Sequence, residues 1–253
     1  MEKPIINDDI VEDAEDAEDA EDAEVVEDAE VVEDAEEITI VPIKKQKIKK
    51  ITKMCDNKIQ TETETINDMY DEDTLKSRFI NFKIMYISDE QLIKKGLQIR
   101  HQNTPEDITE NITKFIIRNY EKDMSCVWCK GVDKKYGLTG DLFSNNYEKS
   151  APIEVKSFTS NGPSQFGPNK KFGVLYFLDL RKWLNNTIVL WKVNLNYLSN
   201  EFKNIKVNKT QTMEEQLSEG RRPHISWDNI HPQIPEFCEK IYEGTFEGIF
   251  TPN

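Results

Sequence analysis

Ala151-Pro152-Ile153-Glu154-Val155-Lys156-Ser157-Phe158 reads as one short strand, entered by a proline and left through a loop, Thr159 to Pro168, rich in glycine and proline. Side chains alternate along a strand, so Glu154 and Lys156 project to one side and Ile153 and Val155 to the opposite, buried side. Thirteen residues before Glu154 stands Gly140-Asp141. On a neighbouring strand, Asp141 would bring a second carboxylate within reach of the same cation. Hard divalent ions such as Mg2+ take oxygen ligands and keep several waters, so two carboxylates make a workable site. A lysine beside them can orient or deprotonate an attacking water and offset the charge that develops on phosphate. The pattern is short, and its alternative reading is a half-buried strand with an exposed Glu/Lys pair. The strand signals and the loop at the strand's end, where scaffolds carry recognition residues, favour a site.

The stretch from about Glu110 to Gln233 resembles a type II restriction endonuclease of the PD-(D/E)xK superfamily. Four pieces carry the resemblance: Gly140-Asp141, Ile153-Glu154-Val155-Lys156, Ser164-Gln165-Phe166-Gly167-Pro168 and Gln216-Leu217-Ser218-Glu219-Gly220-Arg221-Arg222-Pro223. The last two are similar to a small group of such enzymes that cut at GCNGC. The superfamily motif usually opens Pro-Asp; here Gly140 replaces the proline and the carboxylate remains. The resemblance implies Asp141 and Glu154 as metal ligands, Mg2+ as cofactor and Lys156 as the catalytic lysine. Members often offer a helix-borne glutamate near the metal, which makes Glu110 a secondary candidate; its alternative is a solvated helix surface. The resemblance covers about half the chain and does not reach its first hundred residues.

The charge pattern agrees once it is located. The chain holds 253 residues, 37% apolar and 32% charged, with a net charge of −14. An acidic balance argues against a DNA-binding protein, but residues 1–37 carry nineteen acids against one lysine, so the other 216 residues together hold +4. The globular part is mildly basic, which suits a phosphate-binding cleft. Residues 12–36 repeat Glu-Asp-Ala and Glu-Val-Val-Glu-Asp-Ala. A three-residue period of like charges matches neither helix nor strand, so a disordered segment is expected. The basic run Lys44 to Lys50 follows and reads as a solvated linker, or as a nuclear-localisation or nucleic-acid patch. The acidic tract is expected to mimic DNA and compete for the basic cleft. These readings divide the chain into a tail and linker, 1–70, and a nuclease domain, 71–253.

Within the domain, 73–95 is apolar enough for a helix or for mixed structure, and its period does not settle which. Thr104-Pro105-Glu106-Asp107 marks a helix start, with Thr104 as N-cap and Pro105 at the first helical position. Ile108, Ile112, Phe115, Ile116 and Tyr120 continue it at helical spacing. Strands are expected over 126–129, 138–143, 152–158, 172–180 and 187–195. The near-continuous apolar run Val174 to Leu178 predicts a buried central strand beside Ile188 to Val193. Residues 212–219 predict a helix stopped by Gly220. The expected fold class is α/β (α+β): a restriction-endonuclease-like core with a central mixed sheet flanked by helices.

Arg221 and Arg222, between Gly220 and Pro223, can present guanidinium forks to phosphates or guanine edges; otherwise they are cations at a helix C-terminus. Lys170 and Lys171, with Gln165 in the preceding loop, complete the expected DNA contacts. Trp183, Trp191 and Trp227 read as core or interface. Cys126-Val-Trp-Cys129 has the spacing of half a zinc site but lacks a second close pair, so two half-buried strand cysteines are the simpler reading. The lack of an apolar run long enough for a membrane, and four cysteines read as free thiols, place the chain in an intracellular, cytoplasmic compartment. The expected function is Mg2+-dependent, sequence-specific hydrolysis of double-stranded DNA. A homodimer would match a two-fold target, and a cognate methyltransferase would be the functional partner. The alternatives are a structure-specific or repair nuclease of the same fold, or a non-catalytic DNA-binding protein.

Overall fold

The structure, a computed structural model, describes residues 66–252. The acidic repeat, the basic run, Cys55 and the expectations attached to them lie outside the described residues. Helix α1 (Glu72–Lys94) opens the described chain, with the Asp71 side chain accepting a hydrogen bond from Thr74 N at 2.8 Å as its N-cap. Leu75, Phe79 and Phe82 face the core, while Ile80, Ile84 and Ile87 are exposed. Apolar residues on two sides of the helix explain why no single period stands out in 73–95.

Helix α2 (Glu106–Tyr120) begins one residue later than its sequence suggests. Pro105 occupies the N-cap position and no side chain caps the helix; the Thr104 hydroxyl, expected to do so, has no hydrogen-bond partner. Every residue from Ile108 to Ile117 is buried, because α2 packs against the sheet, α1 and the closing turn Glu247–Phe250. A surface helix would leave its polar face in water. Here even Glu110, Asn111 and Lys114 are enclosed.

Eight strands follow: β1 (Val127–Trp128), β2 (Leu142–Phe143), β3 (Ile153–Phe158), β4 (Ser164–Gln165), β5 (Val174–Asp179), β6 (Ile188–Val193), β7 (His224–Ile225) and β8 (Cys238–Gly244). Six of them form a mixed sheet in the order β1-β2-β3-β5-β6-β8, in which only β3 and β5 run parallel. Short helices α3 (Asn200–Lys203), α4 (Met213–Ser218) and α5 (Trp227–Ile230) complete the chain. The continuous apolar run of β5 follows from burial on both faces. Val174, Tyr176 and Leu178 pack towards α1 and α2, with Ile112, Ile116 and Leu190. Leu175 and Phe177 pack on the opposite side with Phe166, Phe202 and Trp227. Trp183 and Trp227 are core residues, as read from the sequence, and Trp191 packs partly buried beside Trp227.

Two strand expectations need correction, and one strand was not foreseen. The 126–129 run contracts to Val127–Trp128 because the chain tightens into a 3-10 turn at Cys129–Gly131. Its cysteines are therefore not a half-buried strand pair: Cys126 is fully enclosed and Cys129 nearly so, and burial pushes the Cys129 thiol up to about 12. Among the described residues no three His, Cys, Asp or Glu side chains gather as a metal cluster, so the zinc reading has no further ligands. The 138–143 run contracts to Leu142–Phe143, because Gly140 turns through φ +95°. Strand β8, which no apolar pattern announces, is an edge strand bearing exposed Glu239, Lys240 and Glu243, charges that protect an unpaired edge.

Candidate active site

The parallel pairing of β3 with β5 fixes the site. β3 is an interior strand, so Glu154 is only 3% exposed, and Ile153 and Val155 are buried with it. The alternative reading, an exposed Glu/Lys pair, does not describe this strand: Lys156 is partly exposed and Glu154 is buried. Asp141 comes in from the turn before β2, and its Oδ2 accepts a hydrogen bond from Val155 N at 2.9 Å. That bond ties the two motifs together through the backbone of the strand that carries Glu154. Gly140 allows it. Besides its positive φ, a Cβ there would meet Pro152 Cγ at 2.5 Å, and proline, with φ fixed near −65°, cannot adopt this turn. Glycine before Asp141 is therefore a local backbone requirement.

Four charged groups lie together. Lys156 Nζ donates to Glu154 Oε1 at 2.6 Å and lies 5.3 Å from the Phe166 ring centroid. Lys170 Nζ donates to Glu154 Oε2 at 3.0 Å and is 3.6 Å from Asp141 Oδ1. Burial and the adjacent Glu154 raise the Asp141 carboxyl above its usual range. Burial pushes Glu154 in the same direction, but Lys156 and Lys170 outweigh it and hold its carboxyl low. The environment has separated two like groups, as neighbouring carboxylates require. Glu110 reaches the same cleft from the first turns of α2. Its carboxylate accepts from Trp128 Nε1 at 2.5 Å and Lys130 Nζ at 2.9 Å, and burial with the Asp141 charge raises its pKa.

These residues line a cleft of about 950 Å³ that runs from the start of α2, past Glu154 and Lys156, to the loop 159–170 and Arg222. The two segments suspected of target contact, distant in sequence, meet because β4, in the first, pairs with β7, which directly follows the second. β4 pairs antiparallel with β7, Ser164 opposite Ile225 and Gln165 opposite His224, and Phe166 N donates to Pro223 O at 3.1 Å. Gln165, Lys170 and Arg222 line the cleft. Arg221 and Lys171 do not: Arg221 pairs with Glu219 and Gln211 beside α4, and Lys171 is exposed outside the lining. The sequence reading overlooked His224, whose ring nitrogen lies 2.9 Å from Gln165 Nε2; only the β4–β7 pairing brings it there. Thr104, read only as a helix cap, and Ser164, in the loop suspected of target contact, are cleft residues whose buried hydroxyls have no hydrogen-bond partner. Helix α4 starts at Thr212 with a reciprocal capping box to Glu215 and ends before Gly220 at φ +72°, as its sequence indicates.

Comparison with known proteins gives the class: this is a type II restriction endonuclease, a site-specific deoxyribonuclease. The chain belongs to the Bsp6I restriction endonuclease family, whose pattern matches residues 70–231. It is 31% identical over 156 residues to the type II restriction enzyme Bsp6I of Bacillus sp. (strain RFL6), an overlap covering 60% of this chain and 79% of that relative. No solved structure matches the chain significantly. Among the described residues no helix is long and apolar enough to cross a membrane.

Proposed function

We propose that this chain hydrolyses phosphodiester bonds of double-stranded DNA at a Mg2+ site formed by Asp141 and Glu154, with Lys156 as the catalytic lysine. One observation carries the reading: two enclosed carboxylates and two ammonium groups converge where β3 opens into a cleft of about 950 Å³. The donor set suits a hard cation. Both ligands are carboxylate oxygens, and mutual repulsion between the acids, expressed in the raised Asp141 carboxyl, is relieved by a dication between them. When bound, Mg2+ supplies a Lewis acid that polarises the scissile phosphate.

The remaining chemistry belongs to the chain. Lys156, clamped by Glu154 and the Phe166 face, carries its ammonium at a fixed position, where it orients the attacking water and balances the charge gathering on phosphate. Glu110, fixed by Trp128 and Lys130, lines the same cleft, where the Asp141 charge is felt. Gln165, Lys170 and Arg222 contact DNA inside the cleft, and Lys171 and Arg221 contact phosphates farther out. GCNGC is the first target to test, because the 164–168 and 216–223 segments are similar to enzymes that cut it, and the two segments meet where Phe166 N donates to Pro223 O. A homodimer and a cognate methyltransferase complete the proposal, with the nuclease domain beginning near residue 71.

The test is incubation of the full chain with unmethylated phage DNA and Mg2+, beside an Asp141→Ala variant and an EDTA control. Discrete fragments that disappear in both controls, with ends mapping to one sequence, bear the proposal out. Fragments that persist in Asp141→Ala refute the site, and a smear in place of bands points to a non-specific nuclease.

A further inference from the structure

Each proposed metal ligand has one oxygen already engaged. Asp141 Oδ2 accepts from Val155 N, and Glu154 Oε1 accepts from Lys156 Nζ. The remaining two, Asp141 Oδ1 and Glu154 Oε2, are the pair that face Lys170 Nζ, at 3.6 and 3.0 Å. An ammonium between these oxygens and a divalent cation bound to both would occupy the same space with the same sign of charge. They exclude one another.

The two lysines differ in their freedom to leave. Lys156 projects from the interior strand β3 with 17% of its side chain exposed. Lys170 sits in the loop after Gly167-Pro168, held by a turn from its own N–H to Gly167 O at 3.2 Å, and its side chain is 48% exposed. Lys170 also lines the cleft proposed for DNA, so an ammonium swung off the carboxylates on its four-carbon stem meets backbone phosphate. Phosphate offers it a full negative charge, and the carboxylates it leaves are then open to the metal.

We propose that Lys170 is an internal counter-ion that occupies the cation position between Asp141 and Glu154 and yields it when DNA phosphate draws the ammonium away. The inference rests on the reading of those two carboxylates as metal ligands. It makes metal and DNA binding mutually reinforcing, since each favours the state in which Lys170 has left the acids. The free enzyme is then poor in bound metal, and the cleavage site assembles on DNA.

The test is Mn2+ binding to the full chain without DNA, read by the electron paramagnetic resonance of free Mn2+ rather than by cleavage. Lys170→Met and Lys170→Gln should each bind Mn2+ roughly fivefold more tightly than the unsubstituted chain, the upper range for losing a half-exposed ion pair as competitor. Lys170→Arg, which keeps the cation, should stay close to the unsubstituted value. Unchanged or weaker Mn2+ binding by both neutral variants, with unaltered thermal melts, overturns the inference while leaving the metal site standing. Asp141→Asn separates the other failure: if it binds Mn2+ as well as the unsubstituted chain, the metal reading is wrong and the Lys170 inference goes with it.

Discussion

Lys114→Met should remove a large part of the stability of this domain. The Lys114 side chain is completely enclosed and pairs at 2.8 Å with Asp68, itself only 2% exposed. Its ammonium also donates to Tyr70 O at 2.6 Å and lies 4.7 Å from the Phe115 ring centroid. Burial pulls the lysine pKa down, and the Asp68 contact works against that pull. Methionine keeps most of the stem volume and deletes the charge, leaving a buried carboxylate with only the backbone N–H groups of Trp128 and Tyr70. Breaking one side of such a pair costs about 3–5 kcal/mol, against a total of about 5–15 kcal/mol for a typical domain. With a urea dependence of about 2 kcal/mol per molar, the midpoint should fall by roughly 2 M. Tryptophan fluorescence in urea measures it, and Asp68→Asn, alone and combined with Lys114→Met, completes a double-mutant cycle. If the buried pair is the cause, the double variant loses less than the sum of the singles. A loss below about 1 kcal/mol, the range of exposed pairs, or strict additivity in the cycle, would refute the reasoning. The consequence reaches the cleft, because Asp68 holds Trp128 and Trp128 holds Glu110.

Three further outcomes follow from single contacts. Gly140→Ala should destabilise the domain by about 1–3 kcal/mol through its positive φ alone, with the Pro152 clash adding to it; a melt unchanged from the parent would contradict the turn described here. Arg222→Ala should weaken DNA binding and flatten its salt dependence, whereas Arg221→Ala, already paired with Glu219, should do so far less; filter binding at two salt concentrations distinguishes them. Asp107 accepts from both Arg78 and Tyr70, and these contacts outweigh burial and hold its carboxyl low. A depressed carboxyl adds stability that is complete above its unfolded pKa of about 3.9 and is lost as pH falls through the lower folded value. Asp107→Asn should therefore be less stable than the parent at neutral pH, with the gap closing in acid, as denaturation at the two pH values would show.

The elements legible from sequence were those whose neighbours in the chain decide them. Helix α2 was announced by its proline, first-turn acids and apolar spacing, α4 by Thr212 and Gly220, and β5 with β6 by apolar runs too long for half-exposed strands. What failed depends on partners far along the chain. The β4–β7 ribbon is two residues long on each side and has no pattern of its own; it exists because Phe166, Ile225 and Trp227 share one core. The burial of Lys114 could not be read either, since its partner is 46 residues away in a segment that looks like linker.

Strand alternation put Glu154 and Lys156 on one side of β3, but alternation alone does not say how far that side is covered. An interior parallel strand is covered on both faces, so a carboxylate there is desolvated whether or not it faces the cleft. Enclosure makes the local sequence rules stricter than the motif alone suggests. Glu154 at 3% exposure requires cations within reach, and the chain supplies one from its own strand and another from sixteen residues on. Asp141 needs a donor for the oxygen turned inward, and Val155 N provides it because Gly140 takes a turn closed to proline. The glycine before Asp141 and the lysine just past the Gly-Pro loop, separate features in the sequence, thus answer the same requirement: two acids held close together in a place poor in water need every other charge and dipole around them arranged in advance.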